Sequence, residues 1–142
     1  MFRLAINLIL ILTLSCTTLL ANEDLEKGIK AFDAEDFVTA RNYWQPLALD
    51  DHAEAQLFMA VLYRYGLGVE RDQARAAYWY EQAASNGDVD AQSEIGFFYE
   101  TGLGVKQDIW EAQSWYQMVL DRDVCLSDTL STGRLDVKES LK

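Results

Sequence analysis

Proline, histidine and cysteine are nearly missing from this chain of 142 residues, which has one proline, one histidine and two cysteines. Cys16 and Cys125 are too few for a disulfide-stapled framework. The lone histidine, His52 in Asp51-His52-Ala53-Glu54, has no second ligand or nucleophile beside it in sequence, so it gives little support to a metal site or a catalytic pair. With proline confined to Pro46, long stretches stay open to helix. Basic residues are also scarce: 12 Lys and Arg stand against 23 Asp and Glu, for a formal charge of -11. That balance opposes binding to nucleic acid and to anionic membrane surfaces, and it favours basic protein partners or plain solubility.

What is present is repetition. Ala55 to Tyr80 recurs 36 residues later as Ala91 to Tyr116, with 11 of 26 positions identical in one register. The shared residues are Ala55/Ala91, Gln56/Gln92, Tyr63/Tyr99, Gly66 to Val69 with Gly102 to Val105, Asp72/Asp108, Ala76/Ala112 and Trp79-Tyr80/Trp115-Tyr116. A period of this size marks a stack in which each unit buries its apolar face against its neighbours. Within a copy, Ala55, Met59 and Tyr63 keep a four-residue spacing, as do Ala91, Ile95 and Tyr99, which predicts a first helix. Gly66 and Gly102 end it, and Asp72 and Asp108 are placed to cap a second helix that carries Ala76, Trp79, Tyr80 and Ala83, or Ala112, Trp115, Tyr116 and Val119. Asn86-Gly87 closes the first unit. Gly66-Leu67-Gly68 lies between two helices, so it is not the strand-to-helix loop that cradles phosphates.

The Ala-Gln opening, the Tyr-x-x-Gly-x-Gly-Val-x-x-Asp centre and the Ala-x-x-Trp-Tyr close resemble the Sel-one-like repeat (SLR) family, relatives of the tetratricopeptide repeats. The resemblance implies an all-α fold, an α-solenoid of stacked helix-turn-helix units. Residues 53–88 and 89–123 are the two full repeats. Residues 22–52 read as a degenerate N-terminal repeat, because Asp36, Ala40, Tyr43-Trp44 and Ala48 keep the same register while the Gly-x-Gly-Val turn is missing. Its helices are expected at about Asp24 to Ala34 and Asp36 to Leu49, with Pro46 kinking the last turn. Residues 124–142 are expected to form a capping helix begun by Ser127 or Asp128, or else a polar tail.

Residues 1–21 open with one positive charge, Arg3, and run uncharged from Leu4 to Asn22, the pattern of a secretory signal peptide cleaved after Ala21. An uncleaved anchor and a lipoprotein modified at Cys16 are the alternatives. Cleavage would leave Cys125 as a single thiol, available for an intermolecular bridge.

On the first helices, the positions outside the shared pattern form a second stripe: Phe58, Val61 and Tyr65 in one copy, Glu94, Phe97 and Thr101 in the other, edged by Arg64 and Glu100. In tetratricopeptide-like stacks such a stripe lines the concave side and suits a peptide or a partner's helix, whereas an ordinary core role for Phe58 and Phe97 is the bland alternative. The resemblance implies a non-enzymatic protein–protein interaction module, an adaptor of the bacterial cell envelope, needing no cofactor or metal. A periplasmic immunity protein that neutralises a lipase-type effector is the sharper variant. Some secreted relatives hold each repeat with a cysteine pair; this chain does not, so the hydrolase or lactam-binding activity attributed to them is not carried over.

Overall fold

The computed structural model describes the backbone of residues 21–132 and the side chains of residues 21–122. The expectations placed on residues 1–20, on the Cys125 side chain and on residues 133–142 lie outside the described residues. Six helices and no strands make up the described part. Helix α1 covers residues 21–33, followed by α2 (Phe37–Leu49), α3 (Ala53–Tyr65), α4 (Gln73–Ser85), α5 (Val89–Thr101) and α6 (Ile109–Thr132). From α2 onward each helix packs on the next, and Trp44 of α2 reaches back to α1, so the chain winds as three consecutive helix pairs. Among the described residues, no helix is long and apolar enough to cross a membrane.

Short polar side chains start these helices. Asp36, Asp72 and Asp88 each accept from the backbone N–H three residues on, at 3.1, 3.0 and 2.8 Å, and Asp108 does so with Glu111 at 3.2 Å. Gly66 and Gly102 stop α3 and α5 in the left-handed conformation, both with φ 72°. The next glycine of each turn is there for contact as well: a Cβ on Gly104 would sit 2.2 Å from the carbonyl oxygen of Gln73. The turn of one repeat is thereby seated on the start of the second helix of the repeat before it.

The interior is built from alanines and layered aromatics. Ala40, Ala48, Ala55, Ala60, Ala76, Ala77, Ala83, Ala84 and Ala91 are all buried, which lets helix backbones approach closely. The aromatics fill what remains. Trp44 and Tyr80, 36 residues apart, are each 1% exposed. Trp44 stacks on Phe58 with ring centres 4.4 Å apart and donates from Nε1 to the Leu25 carbonyl at 3.2 Å, while Tyr80 meets Phe98 edge-on at 5.3 Å.

Two buried amides join the units. Gln56 donates to the Ala48 carbonyl at 3.0 Å, closing an open carbonyl in the last turn of α2, and Gln92 donates to the Ala84 carbonyl at 3.1 Å, which also accepts from the Gly87 N–H at 3.0 Å. The Gln56 oxygen in turn accepts from Asn86 Nδ2 at 2.8 Å. Arg122 stands where Asn86 stands one repeat earlier; it donates to the Gly87 carbonyl instead, and Gln92 Oε1 is buried without a donor among the described residues.

The C-terminal part departs from expectation. No new helix begins at Ser127 or Asp128; α6 runs unbroken through both to Thr132. Asn86 and Gly87, the latter at φ 92°, end α4, whereas Arg122 and Asp123 at the matching positions are residues that continue a helix. At the other end, Pro46 falls in the last turn of α2, which carries on to Leu49.

Candidate partner-binding surface

Arg64, in the last turn of α3, is the centre of the surface. Its guanidinium pairs with Glu94 of α5 and donates to the Tyr80 hydroxyl of α4 at 3.4 Å. Four aromatic rings surround it, with centres 5.3 Å away for Tyr65, 5.4 Å for Phe98, 5.9 Å for Tyr80 and 6.0 Å for Phe97. Its backbone carbonyl accepts from Gln73 Nε2 at 3.1 Å. One side chain thus ties the first helix of one repeat to the first helix of the next, over the buried ring of Tyr80.

The electrostatics fit that role. Burial alone would lower the Arg64 pKa, but its hydrogen bonds to Tyr80 and Glu94 outweigh burial and raise it. Burial likewise pushes the Tyr80 hydroxyl above its ordinary 10.0, with Arg64 pulling the other way. The Arg64 charge is permanent and its direction is fixed by its bonds to Glu94 and Tyr80.

The eight residues of the second stripe divide three ways. Arg64, Tyr65, Glu94 and Phe97 come together at this node; the Tyr65 and Phe97 rings are 60% and 40% exposed, so both offer apolar area to a partner. Phe58 does not share this surface, because it stacks on Trp44 in the core, and Val61 is partly buried against the neighbouring cluster. Glu100 accepts from the Tyr116 hydroxyl at 3.0 Å, and Thr101 donates back to the Phe97 carbonyl at 2.7 Å, within its own helix. His52 caps α3: its Nδ1 accepts from Ala55 N–H at 3.4 Å.

Sequence reasoning did not attach Tyr80 and Phe98 to the node. The repeat pattern places Tyr80 only on the second helix, and Phe98 lies on no shared stripe. The available signal was the opposite charge of Arg64 and Glu94 on successive first helices. The structural work of Gln56 and Gln92 was missed too, although both belong to the shared pattern.

Residues 53–88 and 89–121 match the family profile described as Sel1 repeat. These two segments are Sel1 repeats. Among solved structures, the chain is similar to a protective antigen present in uropathogenic Escherichia coli strains that displays an SLR fold. That match has 26% identity and a TM-score of 0.69, and covers 72% of this chain and 23% of that one. It is similar also to a Sel1 repeat protein from Oxalobacter formigenes, with 31% identity, a TM-score of 0.65, and coverage of 69% of this chain and 40% of that one. The chain therefore spans less than half the length of either relative. No curated protein sequence matches it. Sel1 repeats generally mediate protein–protein interaction, and their fold is typically a non-catalytic scaffold.

Proposed function

We propose that the chain is an adaptor of the bacterial cell envelope, exported by way of residues 1–21, and that it grips a protein partner on the α3–α5 surface around Arg64. One observation carries the reading: Tyr65 and Phe97, drawn from two different repeats, stand exposed beside a partly buried Arg64–Glu94 pair, their ring centres 5.3 and 6.0 Å from the Arg64 guanidinium. Exposed aromatics beside an ordered arginine are the side-chain types that dominate binding energy at protein interfaces. The α-solenoid supplies the rigidity, since alanine-lined contacts hold α3 and α5 in fixed relation to α4.

The formal charge of -11 favours a second, narrower reading within the same class, an immunity protein that binds and neutralises a basic exported effector. Fold does not separate the two readings; the partner does. The deciding experiment is capture on tagged residues 22–142 from the producing cells, with bound proteins identified by mass spectrometry. An envelope-assembly component supports the adaptor, a toxin supports the immunity reading, and a hydrolytic activity in the purified chain would remove both.

A further inference from the structure

A cavity of about 320 Å³ lies where α2 meets the turn of the first full repeat and the start of α4. Arg41, Arg71 and Arg75 line it together with Glu70, Asp72 and Tyr63. Three of the chain's 12 basic residues therefore converge on one hollow of a strongly acidic protein. Asp72 is already engaged, because it caps α4 through the Arg75 N–H and pairs with Arg75 Nε at 3.2 Å. Arg75 also stands over the Tyr63 ring at 5.4 Å. Arg41 differs: its Nε is buried and has no acceptor among the described residues. A buried guanidinium N–H without a partner is costly, and a carboxylate is among the strongest acceptors that can meet it.

The repeat supplies an internal comparison. One period later the positions of Arg41, Arg71 and Arg75 hold Ala77, Gln107 and Glu111. The stack packs there without any arginine, and Ala77 is 1% exposed. The arginines are consequently not demanded by the architecture. Three guanidinium groups against two carboxylates leave an excess of one positive charge, which matches one carboxylate better than a dianionic phosphate. The long-range repulsion from the chain's net charge is screened beyond about 8 Å at physiological salt, so the local arginines decide.

We propose that this cavity is a carboxylate-binding site, taking the acidic side chain or the chain terminus of a peptide, with Arg41 as its principal donor. It is a separate site from the Arg64 node: Tyr63 faces the cavity, while Arg64, one residue on and about 100° around the helix, faces α5. The two proposals stand or fall independently.

The test is a titration of the ¹⁵N-labelled full chain, following the arginine Nε–H resonances, with the Arg41 resonance assigned by its loss in Arg41→Lys. The probes are N-acetyl-diglycine, N-acetyl-aspartate amide, the uncharged amide of N-acetyl-diglycine, and inorganic phosphate. Saturable shifts of Arg41 with either acid, absent with the uncharged amide, support the site, and the better acid tells whether a terminus or a side chain is taken. Arg71→Gln, at an exposed position, is expected to weaken that binding about tenfold, and Arg41→Gln to abolish it, read in that variant on the Arg71 and Arg75 Nε–H resonances. The proposal is overturned if neither acid saturates Arg41, if the uncharged amide acts equally, or if phosphate alone binds.

Discussion

The side-chain amide of Gln56 donates to the main-chain carbonyl of Ala48 at 3.0 Å, across the junction between two repeats. Because Asn86 then donates to the same amide's oxygen at 2.8 Å, Gln56 is satisfied from both sides in a buried position, 1% exposed. Replacing it with leucine keeps the bulk and strands the Ala48 carbonyl and the Asn86 amide. Gln56→Leu is expected to lose about 1–3 kcal/mol in chemical denaturation. Gln92→Leu should lose less, since the Ala84 carbonyl keeps the Gly87 N–H and Gln92 Oε1 has no donor among the described residues; the opposite order would contradict this view of the junction.

Arg122→Asn should then stabilise the chain. It removes an exposed bond to the Gly87 carbonyl and places at the matching position the amide that serves Gln56 one repeat earlier. A gain of about 0.5–1.5 kcal/mol is expected, read as a higher melting midpoint. A lower midpoint would show that Arg122 holds the junction better than the asparagine does.

Gly104 tests how the turns seat on the preceding repeat. Alanine there would be strained at φ 72° and would drive a Cβ to 2.2 Å from the Gln73 carbonyl oxygen. Gly104→Ala is expected to cost at least about 1–3 kcal/mol. Gly87→Ala, strained at φ 92° but with its nearest neighbour 3.7 Å away at the Arg122 guanidinium, should cost less.

Alkaline pH should unfold the protein through its tyrosines. Burial raises the hydroxyl pKa of Tyr80, and burial followed by nearby carboxylates does so for Tyr99 and Tyr116. A raised folded pKa contributes stability that is whole below the unfolded value of 10.0 and is lost as pH rises through the folded one. Denaturation midpoints should therefore fall above pH 10 more steeply for the wild type than for Tyr80→Phe. Equal slopes would mean that Tyr80 ionises as freely folded as unfolded.

Much of this fold could be read from the chain before any coordinates. The caps at Asp72 and Asp108 and the stops at Gly66 and Gly102 depend on local chemistry, and local chemistry is written in sequence. The matched burial of Trp44 and Tyr80 followed from register alone. Phe58 was harder, because its partner Trp44 belongs to the worn first unit, and no spacing within one helix shows which ring lies opposite. The reach of α6 past residue 123 turns on Arg122 and Asp123, where the missing stop lets the helix run on instead of giving way to a separate capping helix or a polar tail. At the binding surface, the rings and charges were legible but their convergence was not: Arg64 and Glu94 meet only because the turns at Gly66 to Asp72 return the chain one repeat later to the same face.

The central claim is that Tyr65 and Phe97 are a binding surface and not leftover exposed apolar area. Calorimetry of the captured partner against the wild type and against the double substitution Tyr65→Ser, Phe97→Ser tests it most directly, with Tyr78→Ser on α4 as the control for another exposed ring, 53% accessible. The account predicts at least about tenfold weaker binding for the double variant, about 1.4 kcal/mol, with the melting midpoint and the Tyr78→Ser affinity unchanged. Undiminished affinity in the double variant would contradict it.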